Sequence, residues 1–259
     1  MSEANAIMAI SFRDLMKLLR DPARMAATFV FPLLFIGVLG GSLQSNFGMS
    51  AGYDFLPFVF TGVLAQTLFQ STAMGVISLI EDRENDFSQE MFVSPISRYS
   101  IIFGKILGET LVAFPQGAAI VIFGLLIGVP ISMPQLLGLL VVGPIICLFG
   151  GAFGVIMLSS FNSQRTANQV FPFIVFPQFF TAGVFTPIKV LPPFLEFLSR
   201  ISPLRYAVDL TRNVFYAGQP DYVNVALDSP AFNTAVVALL FTIFLVVGTA
   251  LFVRNERNR

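Results

Sequence analysis

Histidine is absent from the 259 residues. That excludes His-based catalytic dyads and triads, HExxH metal sites and most imidazole proton relays. Cysteine occurs once, at Cys147 in an apolar stretch, so no intramolecular disulfide forms. Charge is scarce: charged residues make up 12% of the chain, against roughly 25% in soluble domains. The formal net charge is zero, which gives no global attraction to nucleic acid. No G-x-x-x-x-G-K-[ST] run occurs, because Gly104-Lys105 is followed by Ile106 and lacks the upstream glycine. The chain therefore has no such loop to cradle ATP phosphates. The start, "MSEANAIMAISFRDLMK", has no basic region followed by an apolar core and a cleavage site, which predicts no removable signal peptide.

What is present is apolar: 55% of the residues, including 30 phenylalanines. Residues 25–53, 55–80, 110–164, 166–188 and 229–253 carry no charge. A membrane-spanning helix needs about 20 predominantly apolar residues. Four of these stretches suit one span each. The stretch 110–164 suits two, divided at "VPISMP" (Val129 to Pro134), where two prolines favour a turn. The expectation is an all-α polytopic membrane protein with a single transmembrane domain over 1–259. Its six spans lie near 24–43, 55–80, 103–128, 135–158, 168–187 and 231–253. Uncharged runs of this length are not the ten-residue alternating segments of a β-barrel.

Lys and Arg set the orientation. With the N-terminus in the cytoplasm, eleven of them fall inside and four outside, the four being Lys189, Arg200, Arg205 and Arg212. Both termini are then cytoplasmic in a plasma (inner) membrane. Residues 1–22 read as a cytoplasmic interfacial helix, with Ile7, Ile10, Leu15, Leu18 and Leu19 on one side and Arg13, Lys17 and Arg20 as interfacial cations. Ser11 and Asp14 have the spacing of a capping box. Between spans five and six, residues 191–215 carry the spacing of two short amphipathic helices divided at Pro203. Glu196 and Arg200 are four apart there. Asp209 lies four after Arg205 and three before Arg212, so three ion pairs are expected.

The segment 81–98 holds five acidic residues within ten positions: Glu81, Asp82, Glu84, Asp86 and Glu90. On a helix Asp82, Asp86 and Glu90 share one side, with Phe87 and Met91 beside them as an apolar knob, Phe92 exposed next to it and Pro95 as the stop. Clustered acids are repelled by anionic lipid, whereas large apolar side chains beside acids suit a protein socket. Within the spans Glu109 is the one carboxylate well inside, four residues from Lys105, and the pair reads as an interfacial ion pair.

Three stretches together resemble the membrane subunit of type-2 ABC exporters, the drug, lipid and polysaccharide export permeases. They are Arg13 to Gly40; Glu81, Glu84, Glu90, Met91, Ser94, Pro95, Gly104 and Lys105 as E-x-x-E…E-x-x-x-S-P…G-K; and Phe176 to Arg212, with Pro177, Gly183, Pro187, Pro192, Pro203, Leu204, Tyr206, Asp209 and Arg212. Asn85-Asp86 departs from the Gly-Thr of many members. The resemblance implies that the helix after span two is a coupling helix docking a separate ATPase through Glu81, Asp82, Glu84, Asp86, Phe87, Glu90, Met91 and Phe92. It implies two ATPase subunits, which bind the ATP and magnesium. It also implies a second permease, identical or related, and two outer helices capping the pathway. Spans one, two and five would line an apolar path, with Phe31, Phe35, Phe58, Phe173, Phe176 and Phe180 suited to an amphipathic drug or lipid. Two rival readings are an ion-coupled carrier or channel using Glu109, and an intramembrane enzyme. The first lacks an internal repeat. The second lacks paired carboxylates and metal ligands.

Overall fold

The computed structural model of the chain describes residues 3–20, 29–51, 53–84, 97–161 and 163–257, and regular structure among them is helical throughout. Asp86, Phe87, Glu90, Met91 and Phe92 lie outside the described residues. The order is α1 (Glu3–Leu19), then α2 over residues 29–51, which contains a π-helical stretch at Phe35–Gly40. Next come α3 (Phe55–Ile77) and its short continuation α4 (Leu79–Glu84), then α5 (Arg98–Leu126) and α6 (Met133–Ser160). The remainder is α7 (Gln164–Thr181), α8 (Pro193–Ile201), α9 (Pro203–Phe215), the single turn α10 (Tyr222–Val225) and α11 (Pro230–Arg257).

Among the described residues five helices are long and apolar enough to cross a membrane: Phe29–Asn46, Phe55–Asp82, Tyr99–Leu126, Met133–Ser160 and Tyr222–Asn255. At about 1.5 Å per residue a 28-residue helix is roughly 42 Å long, more than the ~30 Å hydrocarbon core. These five cover the expected spans one to four and six. The expected fifth, near 168–187, is the 18-residue α7. It falls short in apolarity because Gln164, Arg165, Asn168 and Gln169 fill its first two turns.

The helix ends follow local chemistry. The turn after α5 is closed by Gly128 at φ +91°, and Val129 N–H reaches back to the Gly124 carbonyl at 2.8 Å. At the start of α6, Gln135 Oε1 accepts from Ser132 N–H at 2.6 Å, while its Nε2 donates to the Phe215 carbonyl at 2.8 Å. One side chain thus caps α6 and ties it to the end of α9.

Helix α3 is the hub. It is buried along almost its whole length, against α6 on one side and α5 on the other, with α9 across its first turns. By contrast Val30, Phe31, Leu34 and Val38 on α2, and Leu239, Ile243 and Val246 on α11, are exposed. Such apolar faces suit lipid, where side chains need no hydrogen-bonding partner.

Candidate functional site

Helix α1 lies along α5. Their approach is close because Gly104 and Gly108 face it, and a Cβ at Gly108 would stand 2.9 Å from the Ser11 Cα. Ser11 is not a cap: it sits mid-helix and its Oγ donates to the Ile7 carbonyl at 2.9 Å and the Gly104 carbonyl at 3.0 Å. Asp14 turns to the same side, so the expected capping box is replaced by contacts to α5.

There Asp14 joins a buried ion network. Lys105 Nζ lies 2.9 Å from Asp14 Oδ2, 2.9 Å from Glu109 Oε1 and 4.0 Å from Asp82 Oδ2. Arg13 Nη2 donates to Asp14 Oδ1 and to Asp82 Oδ2, each at 2.8 Å, and Lys17 Nζ meets Asp82 Oδ1 at 2.9 Å. Among the described residues three cations face three carboxylates, so these charges balance. That balance is what makes burial tolerable, since a lone charge removed from water costs several kcal/mol. Burial pulls the Arg13 guanidinium down, but the Asp14 and Asp82 carboxylates outweigh it and hold it above its ordinary pKa. The network joins α1, the end of α4 and α5. The expected Lys105–Glu109 pair is one edge of it.

Of the expected docking residues that are described, Asp82 is buried and committed to Arg13 and Lys17, whereas Glu81 and Glu84 are exposed. Glu84 Oε1 accepts from Gln164 N–H at 3.0 Å, where α7 begins.

Beside the network is a cavity of about 540 Å³ between α2, α3, α5 and α7. One wall is a stripe on α3: Gln66, Gln70, Met74 and Ser78, each four residues apart, with Thr67, Ser71 and Gly75 alongside. Gln66 Nε2 donates to Gln70 Oε1 at 3.0 Å. Gln116 enters from α5, 3% exposed. Glu109 reaches both the network and the cavity, with its carboxylate packed directly on Gly75, where a Cβ would overlap it. Phe31 and Phe176 line the opposite wall. Phe35 sits behind, 4.2 Å from the Phe31 ring. Phe180 packs on Phe176, and Phe173 is 81% exposed. Phe58 is elsewhere, buried beneath Arg212. Gln66 and Gln70 are four apart in an uncharged span, a signal that charge patterning does not carry.

The end of α7 and the short helices form a second buried polar region. Arg212 is 1% exposed, with its guanidinium 3.6 Å above the Phe58 ring and Nη2 donating to the Gly183 carbonyl at 2.7 Å and the Phe58 carbonyl at 3.3 Å. Burial pulls its pKa down to about 10, so it stays charged at neutral pH. Glu196 and Arg200 pair at 2.7 Å on the surface. Arg205 pairs with Asp228 at 3.2 Å rather than with Asp209. Asp209 accepts from Leu227 N–H and Asp228 N–H at 2.9 Å and from Asn233 Nδ2 at 2.7 Å. Helical spacing gave the right partner where both side chains face water. Where α9 is buried, backbone groups of Phe58, Gly183, Leu227 and Asp228 and the side chains of Asp228 and Asn233 outcompete it.

A family model described as "ABC-2 type transporter" matches residues 5–216. "Putative transport permease ycf38" of Cyanophora paradoxa is 26% identical over 211 residues, covering 78% of this chain and 71% of that protein. Its namesake in Porphyra purpurea is 27% identical over 220 residues, 81% of this chain and 73% of that one. "Probable multidrug ABC transporter permease YbhR" of Escherichia coli (strain K12) is 26% identical over 177 residues, 62% of this chain and 44% of the relative.

Proposed function

We propose, from the premise that this chain belongs to the ABC-2 type transporter family, that it exports an amphipathic, drug-like or lipid-type substrate from the cytoplasm. Family membership makes it a transmembrane subunit of an ABC transporter, associated with an ABC ATPase subunit. In the proposed complex two ATPase copies, which bind ATP and magnesium, serve two permeases, the second being this chain again or a related one. The relative named a multidrug permease supports the substrate class. In this reading both termini are cytoplasmic in the plasma (inner) membrane, α7 serves as the fifth of six spans, and α8 and α9 cap the pathway outside.

The observation that carries the reading is the ion network where α1, α4 and α5 meet beside the cavity. Helix α4 leads directly into residues 85–92. A displacement there reaches α1 and α5 through Asp82, and the cavity wall through Lys105 and Glu109. Glu81, Glu84 and the segment to Phe92 dock the ATPase, while Asp82 transmits rather than touches. The rival use of Glu109 as an ion-coupling group is disfavoured by Lys105, 2.9 Å away, which holds it as an ion pair. The test is a reconstituted complex carrying Asp82→Leu. The ATPase is expected to stay bound while substrate-stimulated ATP hydrolysis and transport fall together. Unchanged stimulation and transport would sink the coupling route.

A further inference from the structure

We propose that the cavity beside the ion network selects a substrate whose polar head is uncharged and rich in hydroxyl or amide groups, joined to an apolar tail. This rests on the export reading and narrows it.

The volume, about 540 Å³, is that of a drug-sized ligand site. Its polar wall lies near the middle of two expected spans, Gln66 and Gln70 in α3 and Gln116 in α5. Gln116 is 3% exposed, lines the cavity, and its Oε1 has no hydrogen-bond partner. A buried acceptor without a donor is destabilising, and an O–H or N–H from a bound molecule removes that cost. Gln66 and Gln70 satisfy one another through a single bond, which leaves each amide further capacity to donate or accept. The facing wall of Phe31, Val175 and Phe176 offers only apolar surface, suited to a tail.

Charge decides the head group. Neither Lys nor Arg is among the described residues lining the cavity, and the nearby Lys105 is engaged by Glu109 and Asp14, so the described lining offers an anionic head no cation of its own. Of the two lining carboxylates, Glu109 is neutralised by Lys105 and Glu81 is exposed at the mouth, where water and salt screen it. The interior therefore presents amides and hydroxyls, which pair best with neutral polar groups.

The test uses the full chain in lipid nanodiscs with three probes of equal tail length: octyl glucoside, octyltrimethylammonium and octyl sulfate. Binding to empty nanodiscs is subtracted. Octyl glucoside is expected to bind the tightest of the three. Gln116→Met and Gln70→Met, which keep side-chain length, are each expected to weaken it about threefold to tenfold, the worth of one neutral hydrogen bond. Tighter binding of the ammonium probe that depends on Glu81 overturns the proposal, as does glucoside binding indifferent to both glutamines. ATPase co-purification is scored on the same variants. Its presence alongside indifferent glutamines sinks only this inference, and its absence sinks the export reading itself.

Discussion

Lys105 Nζ and Asp14 Oδ2 stand 2.9 Å apart across 91 positions of sequence, with both side chains almost wholly buried. The contact makes α1 part of the bundle rather than a loose surface element. A surface helix held only by lipid needs no buried lysine beneath it. Here the lysine also carries Glu109, so the pose of α1 and the cavity wall depend on one ammonium group.

Removing that ammonium takes the lysine from the Glu109 carboxylate and leaves Asp14 with Arg13, 2.8 Å away. Lys105→Met is expected to destabilise the protein by about 3–5 kcal/mol, the usual cost of breaking a buried pair from one side. Asp14→Leu added to it is expected to recover part of the loss. Thermal unfolding of the single and double variants in mild detergent measures the coupling. Additive losses would show that the two side chains act independently.

Gly75 is the point where α3 admits the Glu109 carboxylate. Gly75→Ala forces the two apart and is expected to cost about 1–3 kcal/mol through overpacking. In a Glu109→Ala background the same change is expected to cost much less, because the obstructing group is gone. Equal costs in both backgrounds would place the constraint elsewhere.

Arg212 and Arg200 are both outer-loop arginines in the sequence, but their surroundings are opposite. Arg212→Lys removes the planar fork over Phe58 and is expected to cost about 2 kcal/mol or more, because Lys cannot both stack and reach two carbonyls. Arg200→Ala breaks only an exposed pair with Glu196 and is expected to leave the melting temperature unchanged. A Lys at 212 as stable as Arg would contradict the role given to the stacked fork.

Asp209 satisfies two backbone N–H groups and Asn233 at the approach to α11. Asp209→Ala leaves the half-buried Leu227 and Asp228 N–H groups without their acceptor, while Asn233 keeps its bond to Asn213 Oδ1. About 2–4 kcal/mol of stability is expected to be lost, with hydrogen exchange rising at Leu227 and Asp228 before the rest of the chain.

The contrast between Arg200 and Arg212 also marks how far the sequence could be read. Uncharged runs located five long apolar helices, and helical spacing located α1, α8 and α9, because those signals are local. The Glu196–Arg200 pair was legible for the same reason. The partners of Lys105, Arg205, Asp209 and Arg212 were not all legible, since Asp14, Asp228, Asn233 and the Gly183 carbonyl come from distant segments. The spacing of Gln66 and Gln70 is local, but only the fold sets Gln116 of another helix against the same cavity.

The most direct test of the central claim is a gentle-detergent pull-down of the full chain from its native membrane, with an ATPase assay and mass spectrometry of the bound proteins. The expected result is a stoichiometric Walker-motif ATPase, present with the unaltered chain and lost with Phe87→Arg. A clean preparation without an ATPase, still moving substrate in liposomes under an ion gradient, would contradict it and return attention to Glu109.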